Sequence, residues 1–204
     1  LGEALDMAGE HLSVYQLTIE PGTAFHKAGV VAGDSEGALF ETTQDVLAAA
    51  GLSAYEISNH CRPGAECRHN LNIWRGGDYI GIGPGAHGRL RVDGGNGWEE
   101  VRNIPSPNGW RAAVEKAGHG AAHRAPLNTT ERAEELLLVG LRLSEGVDAT
   151  RFGRATGIDL HEIVDAGRLS DLIDSGDLAP NSTGLCTTEA GRRRLNAVIA
   201  YLLA

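Results

Sequence analysis

The run His11-Leu-Ser-Val-Tyr-Gln-Leu-Thr-Ile-Glu20 alternates, with Leu12, Val14, Gln16, Thr18 and Glu20 on one face and Ser13, Tyr15, Leu17 and Ile19 on the other. A period of two is the mark of a β-strand, and Pro21-Gly22-Thr23 ends it. The first face turns polar toward its C-terminal end, as in a barrel strand whose C-terminal rim meets a ligand. On that reading Gln16, Thr18 and Glu20 line a pocket; a half-solvated edge strand fits the same alternation.

Outward from this strand, Leu39, Phe40, Thr43, Val46 and Leu47 recur at helical spacing between Glu36 and Ala50, and Gly51 follows as a C-terminal stop. A second strand is expected over Ser53 to Asn59 and a third over Asp78 to Ile82. Strand, helix, strand in this order predicts an α/β unit with parallel strands joined by a helix.

The third strand runs into Gly81-Ile-Gly-Pro-Gly-Ala-His-Gly88, where Gly81, Gly83, Gly85 and Gly88 can take positive φ or approach a ligand closely. The corner follows a strand's C-terminal end, where α/β folds place ligands, so Gly81, Gly83, Gly85 and His87 are candidate pocket-lining residues. A glycine-rich strand-to-loop corner without a ligand reads equally well from composition. The second chemically unusual run is His69-Asn-Leu-Asn-Ile-Trp74, which offers an imidazole and a flat indole face.

Residues 117–130, rich in Gly, Ala, His and Pro and without a hydrophobic period, read as a linker, and the division is placed at 1–120 and 121–204. Beyond it the helices are capped. Asn128 precedes Glu131 by three residues, Asp148 opens a helix ending at Gly157, and Asp159 precedes Glu162 in a helix expected to reach Gly176. A two-stranded wing is expected over 177–186 around Asn181-Ser-Thr-Gly184, then a last helix over Thr188 to Leu203 with Leu195, Val198, Ile199 and Leu202 on one stripe. Three helices, a wing and a closing helix make a winged-helix-like module.

Such modules often bind DNA, and charge argues against it here. The 204 residues hold 18 Lys and Arg against 27 Asp and Glu, a net charge of −9. Residues 129–204 alone hold 8 basic and 12 acidic side chains, and the expected recognition helix carries Asp159, Glu162, Asp165, Asp171 and Asp174. The three cysteines, Cys61, Cys67 and Cys186, form an odd set that favours reduced thiols and a cytoplasmic setting. Cys61 and Cys67 lie too far apart for an ordinary zinc pair, so no metal site is assigned to them. With Leu1 first and Met7 the single methionine, the chain reads as an interior fragment of a longer protein.

Four runs in fixed order, His11 to Thr23, Tyr55-Glu-Ile-Ser-Asn-His60, His69 to Trp74 and Gly77 to Gly88, together resemble the oxygen-independent coproporphyrinogen III oxidase-like radical SAM family, on its HemW-like heme-chaperone branch. The helical tail resembles that family's C-terminal domain. The resemblance implies an α/β fold: the C-terminal part of a partial (β/α) radical SAM barrel, followed by a mainly helical winged-helix-like domain. It implies a [4Fe-4S] cluster and S-adenosyl-L-methionine in the full-length parent, bound upstream of this chain, which has no CxxxCxxC motif. No catalytic residue is therefore assigned, and this chain alone is expected to do no radical chemistry.

His69-Asn70-x-x-Ile73-Trp74 resembles the HNxxYW signature of the chaperone branch, with Ile73 in place of its tyrosine. The resemblance makes His69, Asn70 and Trp74 heme-binding candidates, since a neutral imidazole is an axial ligand for iron and an indole can stack on the macrocycle. The implied partners are heme and apo-hemoprotein acceptors, with no nucleic acid, any membrane contact being peripheral and through the acceptors. The two rivals are a coproporphyrinogen III dehydrogenase of porphyrin biosynthesis and a winged-helix DNA-binding protein.

Overall fold

In a computed structural model, residues 1–31, 33, 35–95 and 97–204 are described, apart from the side chains of Glu36 and Asp93. The opening helix α1 (Gly2–Met7) leads to β1 (His11–Ser13), the short α2 (Ala24–Lys27) and the long α3 (Glu36–Ala49). Then come β2 (Ser53–Ala54), β3 (Asn59–Cys61) and α4 (Arg68–Trp74). A meander follows, β4 (His87–Val92), β5 (Gly97–Asn103), α5 (Pro107–Ala117) and β6 (Ala121–Leu127). The tail comprises α6 (Thr129–Gly140), β7 (Val147–Asp148), α7 (Ala149–Thr156), α8 (Leu160–Ile163), α9 (Ala166–Asp174), β8 (Leu178–Pro180), β9 (Gly184–Thr187), α10 (Glu189–Arg193) and α11 (Leu195–Leu202).

Several expectations are corrected. Only His11–Ser13 of the alternating run is a strand, because β3 is three residues long and offers pairing for no more; beyond it Val14 still donates its N–H to Ser58 O at 2.8 Å. β1 and β2 run in the same direction, as a helical crossover requires, but they do not pair. β3 lies between them, antiparallel to both. The expected strand Ser53 to Asn59 is folded back on itself, with Tyr55 N donating to Asn59 O, which makes it the two strands β2 and β3. Asp78 to Ile82 is not a strand; Tyr79 alone bridges to Arg89.

Residues 121–127, read as part of a linker, are β6, paired antiparallel with the central β5 from Trp98↔Leu127 to Asn103↔Ala121. Half of β6 faces solvent and it carries His123, Arg124 and Pro126, so it shows no apolar alternation.

The tail builds its own core from Ala133, Leu136, Leu137 and Leu141 of the α6 region, Phe152, Leu160, Leu172, Leu178 and Leu185, closed by Leu195, Val198, Ile199 and Leu202. Its caps are those expected: the Asn128–Glu131 capping box, Asp148 accepting from Arg151 N, and Gly157 at φ 81°. Two helices are broken where one was expected. Val164 is extended (φ −104°, ψ 137°) and Asp165 caps α9 anew; Arg194 (φ −127°, ψ 32°) separates α10 from α11. The wing forms as expected, β8 and β9 pairing around Asn181, which accepts from the N–H groups of Thr183 and Gly184.

The N-terminal part buries far less. Leu47, Leu52 and Cys61 are buried, whereas Tyr15 (73%), Leu17 (57%), Phe25 (53%), Val31 (86%) and Leu39 (63%) are exposed. Leu39, expected on the inner stripe of α3, instead lines an open apolar groove with Val14, Leu17, Ile19 and Phe40. Contiguous exposed apolar surface and a bare strand edge are unstable in isolation. Limited proteolysis is therefore expected to leave a resistant fragment that contains residues 128–204. Survival of the N-terminal part with a digested tail would contradict this.

Candidate functional site

Helix α4 carries His69, Asn70 and Trp74, and the tail grips it at its C-terminal end by three contacts. The Arg142 guanidinium lies over the Trp74 ring, 4.6 Å from its centroid. Arg75 makes two hydrogen bonds of 2.7 Å to the Glu145 carboxylate. Arg132 donates to Gly76 O, and Gly76, at φ 72°, sits so close to α6 that a Cβ there would lie 2.0 Å from Leu136 Cδ2. A left-handed residue with no side chain is what lets the chain leave α4 against this helix.

Arg142 is itself anchored. Its Nη2 lies 3.3 Å from Oε2 of Glu56, which is 0% exposed and also accepts from Ser58 N at 2.7 Å and Asn59 Nδ2 at 2.6 Å. Glu56 also bridges to Leu143, and Ser144 donates from its N–H to Tyr55 O and from its hydroxyl to Ala54 O. A second clamp joins the meander to the tail: the Trp98 indole N–H donates to Ala155 O at 3.0 Å, and Arg132 covers the Trp98 face at 3.6 Å. Burial pulls the Arg132 guanidinium below its ordinary range, opposed by its bond to Glu135.

His69 stands exposed at the start of α4, and Asn70, half-buried, donates from Nδ2 to the Tyr55 hydroxyl at 3.3 Å. That hydroxyl also lies 2.9 Å from His11 Nε2, and burial raises the Tyr55 phenol above its usual range. Trp74 is half-buried with its Nε1 buried and unpartnered among the described residues, and Arg142 covers one of its faces. That face is not available to a macrocycle. The chemistry therefore divides among the three: an accessible imidazole at His69, an orienting amide at Asn70, and an indole that fastens the helix.

The pocket-lining candidates do not gather at this helix. Gln16 lies on the apolar groove with Gln44 and His60, while Thr18 and Glu20 are exposed beyond it. Gly81, Gly83 and Gly85 lie in the loop before β4, and His87 is the first residue of that strand. The glycine corner precedes β4, so it is not the C-terminal end of a strand. A Cβ on Gly81 would fall 2.2 Å from His87 O, and Asn103 Nδ2 ties down Gly81 O and Gly83 O at 3.1 and 2.9 Å. Gly81 thus serves close backbone packing, Gly83 and Gly85 take positive φ (101° and 71°) at the turn, and His87 is exposed beside them.

Sequence reasoning missed Glu56, Arg142 and His60. His60 is 1% exposed, its Nε2 3.1 Å from Gln44 Oε1 and its Nδ1 buried without a partner among the described residues. Burial, then the nearby Arg192, pushes its imidazole below the ordinary range and keeps it neutral. The signal for Glu56 was slight: an acid in an otherwise apolar or amidic run, Tyr55 to Asn59.

Residues 127–194 match the family model of the HemN C-terminal domain. The heme chaperone HemW of Escherichia coli is 34% identical over 206 residues, covering 100% of this chain and 52% of that protein. The chain belongs to the HemW-like radical SAM family. Within that family, a mitochondrial radical S-adenosyl methionine domain-containing protein 1 from Danio rerio is 40% identical over 155 residues, 72% of this chain and 35% of that one. Escherichia coli coproporphyrinogen III oxidase, HemN, described as a radical SAM enzyme, superposes with a TM-score of 0.74 over 100% of this chain and 50% of its own, at 13% identity. That likeness carries the fold: the C-terminal part of a radical SAM partial barrel with a mainly helical winged-helix-like domain.

This chain spans about half the length of the curated relatives it matches, or less. Its thiols do not suit an iron–sulfur cluster: Cys61 is on β3, Cys67 precedes α4 and Cys186 is on β9. Heme is the better fit to the groups present, since His69 offers an accessible nitrogen donor on an anchored helix. No helix among the described residues is long and apolar enough to cross a membrane.

Proposed function

We propose that this chain is the heme-handling part of a heme chaperone, which in the full-length protein binds heme and passes it to apo-hemoproteins in the cytoplasm. The observation that carries the reading is the His69-Asn70-x-x-Ile73-Trp74 helix, with its histidine exposed and its other end held by the tail. An axial imidazole on an exposed helix can hold iron and still surrender it, because an acceptor can approach the metal without opening a core. His69 is the proposed ligand, with Asn70 and Trp74 setting the pose of α4. Gln16, Thr18, Glu20 and the Gly81–His87 corner are proposed to face the interior that the cluster-bearing part of the parent completes. The [4Fe-4S] cluster and S-adenosyl-L-methionine are proposed to be bound by that upstream part.

The coproporphyrinogen dehydrogenase reading draws on the HemN fold and on the HemN C-terminal domain match, and the names of the closer-matching bacterial relatives favour the chaperone. Nucleic acid is not a proposed partner, given the acidic tail. Ferric heme titrated into the chain is expected to give a saturable absorption band. Absence of a saturable band, together with conversion of coproporphyrinogen III by the full-length protein, would replace this reading by the enzymatic one.

A further inference from the structure

In a chain of net charge −9, one cleft runs against the average. It lies along α4 and is lined by Arg68, Leu71, Asn72, Arg75, Gly77 and Arg151, enclosing about 650 Å³ including its open mouth. Arg68, Leu71, Asn72 and Arg75 stand at i, i+3, i+4 and i+7, so one face of α4 forms its wall, and Arg151 of α7 comes from the tail.

Among the described residues no carboxylate lines the cleft itself. Glu145 takes Arg75 in a two-bond fork, and its other cation, Arg151, is held only at 3.6 Å. The Arg75 guanidinium holds the Glu145 carboxyl below its usual range, so that group is ionised, and it is one carboxylate between two cations. Two further acids stand nearby: Asp148 caps α7 by accepting from Arg151 N at 2.7 Å and shares with Arg75 and Arg151 an adjoining hollow, and Glu66 lines another hollow with Arg75 and Glu145. Arg68 is exposed. Three guanidinium groups thus line the cleft, and the acids beside it are engaged: Glu145 by Arg75, Asp148 in the cap of α7 and Glu66 by Gly64 N. Guanidinium forks bind carboxylates in pairs of parallel hydrogen bonds, and they are less strongly hydrated than ammonium groups, which suits a half-buried cleft.

We infer that this cleft is a carboxylate-binding site that takes the propionates of a heme whose iron is held at His69. The inference rests on the heme-chaperone reading, since His69 follows Arg68 directly and lies about 100° further round the same helix. A macrocycle fixed by its iron alone can rotate about the Fe–N bond; a propionate in the Arg68–Arg151 cleft removes that freedom. Arg75, already bound to Glu145, keeps the wall in place.

The test compares ferric heme with its dimethyl ester, in which both propionates are masked, on the unaltered chain and on the Arg68→Gln and Arg151→Gln variants. The unaltered chain is expected to prefer heme to the ester by about tenfold or more, the worth of one charged hydrogen-bonded contact. Each variant is expected to lose most of that preference while the position of the absorption band stays unchanged, because the iron ligand is intact. Arg68→Lys is expected to restore part of the preference through charge alone. Equal binding of heme and ester by the unaltered chain would overturn the inference, as would variants that keep the preference or weaken both ligands alike. A chain that takes up neither ligand would instead remove the heme reading on which the cleft depends.

Discussion

Heme titrated into the His69→Ala variant is expected to bind at least about tenfold more weakly, with a shifted or weakened absorption band. Even outer-shell changes around a metal cost about 10–100-fold in affinity, and here the donor atom itself is removed. His87→Ala is the matching control. His87 is exposed as well, but it opens β4 in the meander sheet, so its loss is expected to leave band and affinity unchanged. Cys61→Ser and Cys67→Ser should behave the same way. Burial raises the Cys61 thiol above its ordinary range, which disfavours the thiolate that iron would need. If the His69 variant bound like the unaltered chain while a cysteine variant lost the band, the ligand would be a thiolate and the assignment of α4 would fall.

The second large effect belongs to Glu56. Its carboxylate is fully buried and satisfies three donors at once, Ser58 N, Asn59 Nδ2 and Arg142 Nη2. Glu56→Ala leaves a buried amide and a guanidinium without their acceptor, and removing one partner of a buried pair costs about 3–5 kcal/mol. Chemical denaturation is expected to show a loss of about 3 kcal/mol, with the double variant Glu56→Met, Arg142→Met recovering part of it, since apolar replacement of both partners removes the unpaired charge while Ser58 N and Asn59 Nδ2 stay without their acceptor. A loss under about 1 kcal/mol would mean that water reaches the site and that the carboxylate is not the hub of the contact between β3 and the tail. Because Arg142 also covers Trp74, the single variant is further expected to loosen α4, seen as a change in tryptophan fluorescence before global unfolding.

Local chemistry was legible wherever a few neighbouring residues decide the outcome. Asn128 with Glu131, Asp148 with Gly157 and Asp159 with Glu162 mark helix ends by pairs three to nine residues apart, and each operates as its spacing suggests. The stripe Leu195, Val198, Ile199 and Leu202 is buried as its period requires. Two breaks escaped this reading, at Val164 and Arg194. Neither is a glycine or proline, and both bends arise where α9 and α11 turn to pack on each other across the tail core.

Strand direction was not legible, because side chains alternate identically in parallel and antiparallel strands; only the pairing of β3 with both β1 and β2 reveals it. Strand β6 was hidden for a related reason. An edge strand half in water needs no apolar face, so Arg124 and His123 serve as well as valine once Glu99 and Glu100 of β5 reach them diagonally across the ladder. The sequence by itself determined the helix-and-wing tail, its acidic surface and the run that carries His69, all properties of residues close together in the chain. The tertiary structure alone decided that Glu56 meets Arg142, 86 residues away, that Arg142 spends itself on Trp74, and that Arg68, Arg75 and Arg151 share one cleft. Such encounters depend on where separate elements dock, and a charged side chain looks the same in sequence whether its partner is solvent or a buried carboxylate.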